Sequence, residues 1–427
     1  MTAVFGPPSG RTFAVRYWDG SSETSSRGAA FTLVLTRPGA LRRMLLPPSE
    51  LSLVEAYLSG DVDVEGDLLA TIPLADSINT RVKSPRVLAS LTRDLLALPK
   101  HESAVESVQA SRSERVVPIA GSVHDRNRDR AAIHYHYDVG NDFYQLFLDE
   151  RMVYSCAYFA EPQFTLEQAQ EAKLEHICRK LRLKPGERLL DIGCGWGGLI
   201  MHAVQRHGVR ALGITLSEQQ RALAQARIEA AGLQDVCSVE IRDYRDLAGV
   251  GPFDKIASVG MVEHVGVDHL PEYFTSAYGA LVAGGLFLNH GIVQVLQKHR
   301  ASWKERIEDR LWRRDSFIDQ YVFPDGKLGP YEAVVASAEN AGFELRDAES
   351  LREHYEQTLH EWVRRLMARE REATALVGRH TYRTWRLYMT ASEHGFATGR
   401  LGIIQTLFAK QAGGRVSVPR TRADLYQ

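Results

Sequence analysis

Within LLDIGCGWGGLI, Leu189 to Ile200, three glycines, Gly193, Gly195 and Gly198, stand in the G-x-G-x-x-G spacing that turns a strand into a helix around a nucleotide. Such a loop offers backbone N–H groups and a helix amino terminus, which suit the pyrophosphate of a dinucleotide. Two neighbours argue against that ligand. Asp191, just before the glycines, would oppose an anion, and the bulky Trp196 stands where phosphates approach. A dinucleotide site also places a ribose-binding acid about 20 residues on, at the next strand end. There GITLSEQQ supplies Thr215, Leu216 and Gln220, with Glu218 already inside the following helix. The third strand ends in RDYRD, where Asp243 beside Tyr244 suits hydrogen bonding and stacking of an adenine. A zwitterion bearing a sulfonium would find Asp191 favourable. Together these strand ends predict an S-adenosylmethionine site.

Further along, Glu263 in VEHV and His290 in LFLNH each fall at a strand end on the same expected rim. His134 and His136 in HYHYD have a spacing that would share one strand face, but no third ligand is signalled nearby, so no metal is expected. Cys156, Cys178, Cys194 and Cys237 are widely spaced without a C-x-x-C pair, so the pattern indicates neither a disulfide framework nor a zinc knuckle and fits a reducing cytoplasm.

The elements that must position these residues read as strands alternating with helices. LEQAQEAKLEHICRKL is an amphipathic helix, RLLDI a strand, GLIMHAVQRHG a helix, ALGITL a strand, and SEQQRALAQARIEAAG a helix capped by Ser217. SVEIRD, DKIASVG and LFLNHGIV continue the strands, with PEYFTSAYGALVAGG between the last two. Repeated βαβ units imply an α/β fold, a doubly wound, mostly parallel Rossmann-like sheet with its ligand site at the carboxyl ends of the strands. Before it, 31–98 mixes strand-like FTLVL with helical SELSLVEAYLSG, a smaller α+β domain. The Ser-rich, charged stretch 100–130 reads as a linker. The expected organisation is 1–120 and 121–427, with an insertion at about 295–328 covering the site.

In unbroken order, YHYDVGNDFYQLFLD, MVYSCAYF, LLDIGCGWGGL, GITLSEQQ, DYRDL, GMVEHVG, NHGI and HYEQTLHEW resemble the cyclopropane-fatty-acid synthases and mycolic acid cyclopropane synthases, from Ala131 to the carboxyl terminus. LVEAYLSGDVDVEGDL more loosely resembles the leading domain of their two-domain members. The resemblance implies a class I methyltransferase that methylates the cis double bond of a phospholipid acyl chain, through a carbocation deprotonated by bound bicarbonate. The product would be a cyclopropane, or a methylene precursor of 10-methyl-branched acids. It further implies that Tyr154 and Ser155 join Asp191, Gly193, Gly195, Thr215, Leu216, Gln220, Asp243 and Tyr244 around the cofactor. The bicarbonate would be held by the backbone of Cys156 and Ile292 and by Glu263, His290 and Tyr355, with Tyr137, Tyr154 and Tyr158 sheltering the cation. Gly291 and Ser392 depart from the residues common at their positions in the family, which leaves the product open.

Whole-chain composition sets the surroundings. The 427 residues, 44% hydrophobic, suffice for a large core, and 52 basic against 53 acidic side chains provide no global field for nucleic acid. No apolar run approaches the roughly 20 residues of a membrane span, so a cytoplasmic protein meeting the membrane peripherally is expected. Residues 297–323 interleave Trp303 and Trp312 with seven Lys and Arg, as in segments that meet anionic lipid. A homodimer is favoured by the resemblance. The competing readings are a nicotinamide oxidoreductase, a non-catalytic lipid carrier and a methyltransferase of a soluble metabolite.

Overall fold

The computed structural model describes residues 10–25, 28–46, 49–74, 92–99, 139–295, 317–322, 328–416 and 418–426, together with Phe5, Arg126 and Arg128. Tyr137, His134, His136 and nearly all of the basic aromatic insertion lie outside these. Two compact units result, one drawn from Met1–Ile119, Lys298–Pro324 and Glu370–His394, the other from Ala120–Gln297, Asp325–Arg369 and Gly395–Gln427. The first therefore takes in two segments that are distant in sequence from the leading 120 residues. Its small sheet runs β2-β1-β3-β4, from β1 (Ala14–Arg16), β2 (Ser22–Glu23), β3 (Phe31–Leu35) and β4 (Val62–Gly66). Helices α1 (Ala40–Leu45) and α2 (Glu50–Leu58) connect β3 to β4. Alternation in FTLVL buries Phe31, Leu33 and Leu35 on one face. Arg383 is 4% exposed, ion-paired with Asp63, and it donates to the Tyr57 carbonyl at 2.5 Å, which ties the distant segment into this unit.

The second unit holds the sheet the sequence predicts. It begins with α3 (Asn141–Gln145) and α4 (Leu166–Leu181), followed by β5 (Arg188–Ile192), α5 (Gly198–His207), β6 (Arg210–Thr215), α6 (Glu218–Ala230) and β7 (Cys237–Ile241). Then come β8 (Phe253–Val259), α7 (Val262–Val265), α8 (Leu270–Ala280), β9 (Leu281–Gln294), α9 (Tyr331–Asn340), β10 (Glu344–Ser350), α10 (Arg352–Ala368) and β11 (Leu401–Ala409). The strand order is β10-β11-β9-β8-β5-β6-β7; β5 to β9 are parallel and β11 runs against both its neighbours. The order reverses between β5 and β8, where a doubly wound sheet opens a crevice for ligand.

Local chemistry fixes the elements beside that crevice. Thr165 and Gln168 form a reciprocal capping box at the start of α4, and Ser217 caps α6 by accepting from the Gln220 N–H; each cap is worth about 1 kcal/mol. After β5 the chain turns through Gly193 and Gly195 at φ 79° and 54°, a backbone that side chains disfavour. Gly213 serves differently: a Cβ there would stand 2.6 Å from Cys194 Sγ, so its bareness lets the glycine loop settle on β6.

Candidate active site

One pocket gathers the ends of β5, β6, β7 and β8, and all ten sequence-predicted cofactor residues line it: Tyr154, Ser155, Asp191, Gly193, Gly195, Thr215, Leu216, Gln220, Asp243 and Tyr244. Asp191, the penultimate residue of β5, is 3% exposed; burial raises its carboxyl to about 7, opposed by Lys173, and its Oδ1 has no hydrogen-bond partner. An orphaned acid in a partly apolar pocket is what a cationic ligand would satisfy. Thr215 Oγ1 donates to Gln220 Oε1 at 2.8 Å, which turns the Gln220 amide so that its NH₂ is the end available to a ligand.

Two expected contacts are altered. The Asp243 carboxylate receives Arg245 Nε at 2.8 Å and Nη2 at 2.6 Å, and that guanidinium lies 5.2 Å from the Tyr244 ring centroid. Against the pull of burial, Arg245 keeps Asp243 below the usual carboxylate range. The pair is thus a braced wall rather than an acid awaiting a partner. Trp196 does not obstruct the loop: it is 2% exposed, donates Nε1 to Asn141 at 2.8 Å and packs on Tyr144 at 5.0 Å.

Sequence reasoning missed Lys173, Gln170, Met261 and His264. Lys173 lines the pocket at 2% exposure and donates Nζ to Ser155 Oγ at 2.9 Å. Burial lowers its ammonium to about 8, countered by Asp149, Cys156 and Asp191. Gln170, one turn earlier, donates to the carbonyls of Val153 and Ser155 at 3.3 and 2.9 Å. The signal was present in LEQAQEAKLEHICRKL, where both polar residues share the apolar face of the helix at i, i+3 spacing. Met261 and His264 sit in the quoted GMVEHVG motif; burial lowers His264 to about 4, leaving a neutral imidazole on the pocket wall.

Next to the pocket, β8 ends at Val259, paired with His290, and β9 continues to Gln294 with that edge vacated. Glu263 on α7 fills the gap: its Oε1 accepts the Ile292 N–H at 2.7 Å. The Ile292 amide, expected to hold an anion, is here engaged by Glu263. Glu263 Oε2 remains buried without a partner, and burial raises the carboxyl to about 7. His290 is fully buried; its Nδ1 faces Gln405 Nε2 at 3.1 Å and its Nε2 has no partner. With the Gln405 amide donating to Nδ1, the proton of the neutral ring sits on Nε2. Burial holds His290 well below its usual range.

Cys156 and Tyr355 reach the same neighbourhood through the backbone. Cys156 Sγ lies 3.7 Å from the Leu351 carbonyl, which also accepts the Tyr355 N–H at 3.1 Å. The Leu351 N–H in turn donates to the Ile403 carbonyl, and Ile403 pairs with Ile292. Burial pushes the Cys156 thiol far up, so it is no nucleophile. The Tyr355 ring stands 6.0 Å from Trp362 and 4.7 Å from Phe396, and Trp362 is 5.1 Å from Tyr154. Tyr154, Trp362, Tyr355 and Phe396 thus make a row of rings, of which only two were predicted. Tyr158 does not join it. Its ring is stacked between His176 and His354 at 4.4 and 4.9 Å, away from the pocket lining.

A family model described as mycolic acid cyclopropane synthetase matches residues 124–406, and one for a domain of unknown function matches residues 2–81. A protein of Pseudomonas putida named a probable fatty acid methyltransferase is 39% identical over 97% of this chain and 96% of its own. A Mycobacterium tuberculosis protein with the same description is 37% identical over 92% of this chain and 90% of its own. The crystal structure of a mycolic acid cyclopropane synthase complexed with SAH and CTAB superposes with a TM-score of 0.61 and 33% identity, covering 66% of this chain and 98% of that one. The chain therefore belongs to the mycolic acid cyclopropane synthetase family and is an S-adenosylmethionine-dependent methyltransferase of class I fold.

Proposed function

We propose that this enzyme methylates the cis double bond of an unsaturated phospholipid acyl chain and removes a proton from the added carbon, giving a cyclopropane or a methylene product. The observation that carries the reading is the pair of buried, unpartnered atoms Glu263 Oε2 and His290 Nε2 beside a pocket whose own orphan is the acid Asp191. S-adenosylmethionine, when bound, supplies an electrophilic methyl; a relative crystallised with SAH, the demethylated form, supports that occupant. Asp191, Thr215, Gln220 and the braced Tyr244 wall would hold it, and the sulfonium would settle the Asp191 charge.

Bicarbonate, when bound, supplies a small oxygen base. The donors fit it: His290 Nε2–H donates, and Glu263 Oε2, half-ionised near neutral pH, exchanges a hydrogen bond with a hydroxyl or oxygen. Tyr355 lies on the same neighbourhood's backbone chain. The row of rings Tyr154, Trp362 and Tyr355 runs from the pocket wall, and a cation reaching a ring face there would gain about 2 kcal/mol when desolvated. Exclusion of water keeps a cationic acyl chain from being trapped as an alcohol. We further propose that the enzyme works at an anionic membrane surface.

The test is incubation with methyl-labelled S-adenosylmethionine and oleoyl phospholipid vesicles, then mass analysis and proton NMR of the recovered acid. Gain of one CH₂ with upfield ring protons identifies the cyclopropane, and vinylidene signals identify the methylene acid. Absence of any lipid product would overturn the proposal, and turnover on soluble metabolites without lipid would replace it.

A further inference from the structure

Where α4 packs on α5, a second group of chemistry-bearing side chains lies outside the pocket. Glu175 and Cys178 sit one turn apart on α4; His202 and His207 come from α5. None of the four lines the methyl-transfer pocket. His202 Nε2 and His207 Nε2 each lie 3.1 Å from the same oxygen, Glu175 Oε2. One ligand atom from each of Cys178, His202 and His207 lies within 4.8 Å of the others. We propose that Cys178, His202 and His207, with Glu175 beside them, form a structural zinc site that staples α4 to α5.

The donor set selects the metal. One thiolate and two imidazoles whose ligand atoms approach one another suit tetrahedral Zn²⁺, with the Glu175 carboxylate, already hydrogen-bonded to both imidazoles, able to rotate in as the fourth ligand. With zinc bonds of about 2.0–2.3 Å, ligand atoms stand about 3.3–3.7 Å apart, so three atoms within 4.8 Å of one another need to draw in only slightly. Charge balances too, since a thiolate and a carboxylate neutralise the dication in a partly buried place. Arg179 Nε donates to Glu175 Oε1 at 2.9 Å, which fixes that carboxylate and leaves Oε2 for the metal. An open groove lined by Glu175, Arg179, His202 and His207 gives the ion a path. Binding releases the Cys178 proton and leaves each imidazole's single proton on the nitrogen that does not meet the metal. The consequence reaches the active site through the chain, because α4 also carries Gln170 and Lys173, and α5 follows the glycine loop.

The full-length protein, stripped with chelator and then exposed to zinc chloride and gel-filtered, should retain about one zinc per chain. Cobalt in place of zinc should give tetrahedral visible bands with a thiolate-to-cobalt charge-transfer band in the near ultraviolet. Cys178→Ser should remove that band. His207→Gln, at the solvent-facing end of α5 and therefore compatible with folding, should abolish retention after filtration, and Arg179→Gln should weaken zinc about tenfold. Failure to retain zinc, a cobalt spectrum without the thiolate band, or undiminished retention by His207→Gln would each overturn the proposal. Should Cys178→Ser fail to fold, the wild-type band and the His207→Gln result decide it.

Discussion

At the ends of β6 and β7, polar side chains at the pocket are held by near neighbours in sequence, Thr215 by Gln220 and Asp243 by Arg245, and Ser217 just behind caps α6 through the Gln220 N–H. At the end of β9 the pattern is opposite. Glu263 reaches across 29 positions to Ile292, His290 across 115 to Gln405, and one polar atom of each is left over. The first region is complete as a scaffold and needs a ligand chiefly at Asp191. The second is deliberately incomplete, and incompleteness in a dry place is costly unless a reactant completes it. On the proposed function, binding and chemistry divide between a locally braced half and a long-range, unsatisfied half of one rim.

Glu263→Gln tests that division most severely. The amide oxygen can still accept the Ile292 N–H, so folding and S-adenosylmethionine binding should survive, while turnover falls by about 10²–10⁴-fold. Unchanged turnover would remove Glu263 from the chemistry. The same variant has a stability signature. A carboxyl raised to about 7 by burial stays protonated in the native state after the unfolded chain has ionised, so native stability falls as pH rises from about 4.5 to about 7. The gain of Glu263→Gln over wild type in denaturant melts should therefore grow through that window, to about 3 kcal/mol. A gain independent of pH would show that Glu263 is not held in this way.

Asp191→Asn should act on the other half. It retains the shape but not the charge, so calorimetric affinity for S-adenosylmethionine should drop by about tenfold or more, with the loss smaller for neutral-sulfur S-adenosylhomocysteine. Equal losses for both ligands would mean that Asp191 does not meet the sulfonium. Lys173→Met sharpens the boundary between the halves. Without its bond to Ser155, cofactor affinity should weaken by roughly tenfold, about the worth of one charge-assisted hydrogen bond. If Kd is intact and only turnover changes, the ammonium belongs to the chemistry of the β9 side.

The same contrast explains what could be read from the sequence. Strand ends announce themselves locally: RLLDI is β5, Leu166–Leu181 is the helix its periodicity requires, and Ser217 caps α6 as its type suggests. The cofactor candidates were legible because their positions follow from those ends. The role of Gln405 was not, because only the antiparallel register of β11 on β9 sets it opposite His290. Trp362 stands two turns from Tyr355 on α10 itself and was within reach of helix periodicity, whereas Phe396 approaches Tyr355 only after the segment before β11 has packed. The engagement of the Ile292 amide depends on β8 stopping four residues short of its partner, a property of pairing rather than composition. Lys173 was overlooked for another reason: a lysine in a charged amphipathic helix reads as solvated until burial shows otherwise.

Gln405 offers the finest division of the two halves. Its amide sets the His290 tautomer from behind and touches neither cofactor pocket nor solvent. Gln405→Leu should leave S-adenosylmethionine affinity unchanged while lowering kcat by about tenfold, the worth of one buried neutral hydrogen bond. The imidazole, freed to place its proton on either nitrogen, should also show a mixed tautomer signal in nitrogen NMR, where wild type shows one. A matched fall in cofactor affinity would mean that β11 supports the pocket as a whole, and the two halves would then be one. A single retained tautomer with normal kcat would show that the buried surroundings, rather than Gln405, decide which nitrogen of His290 carries the proton.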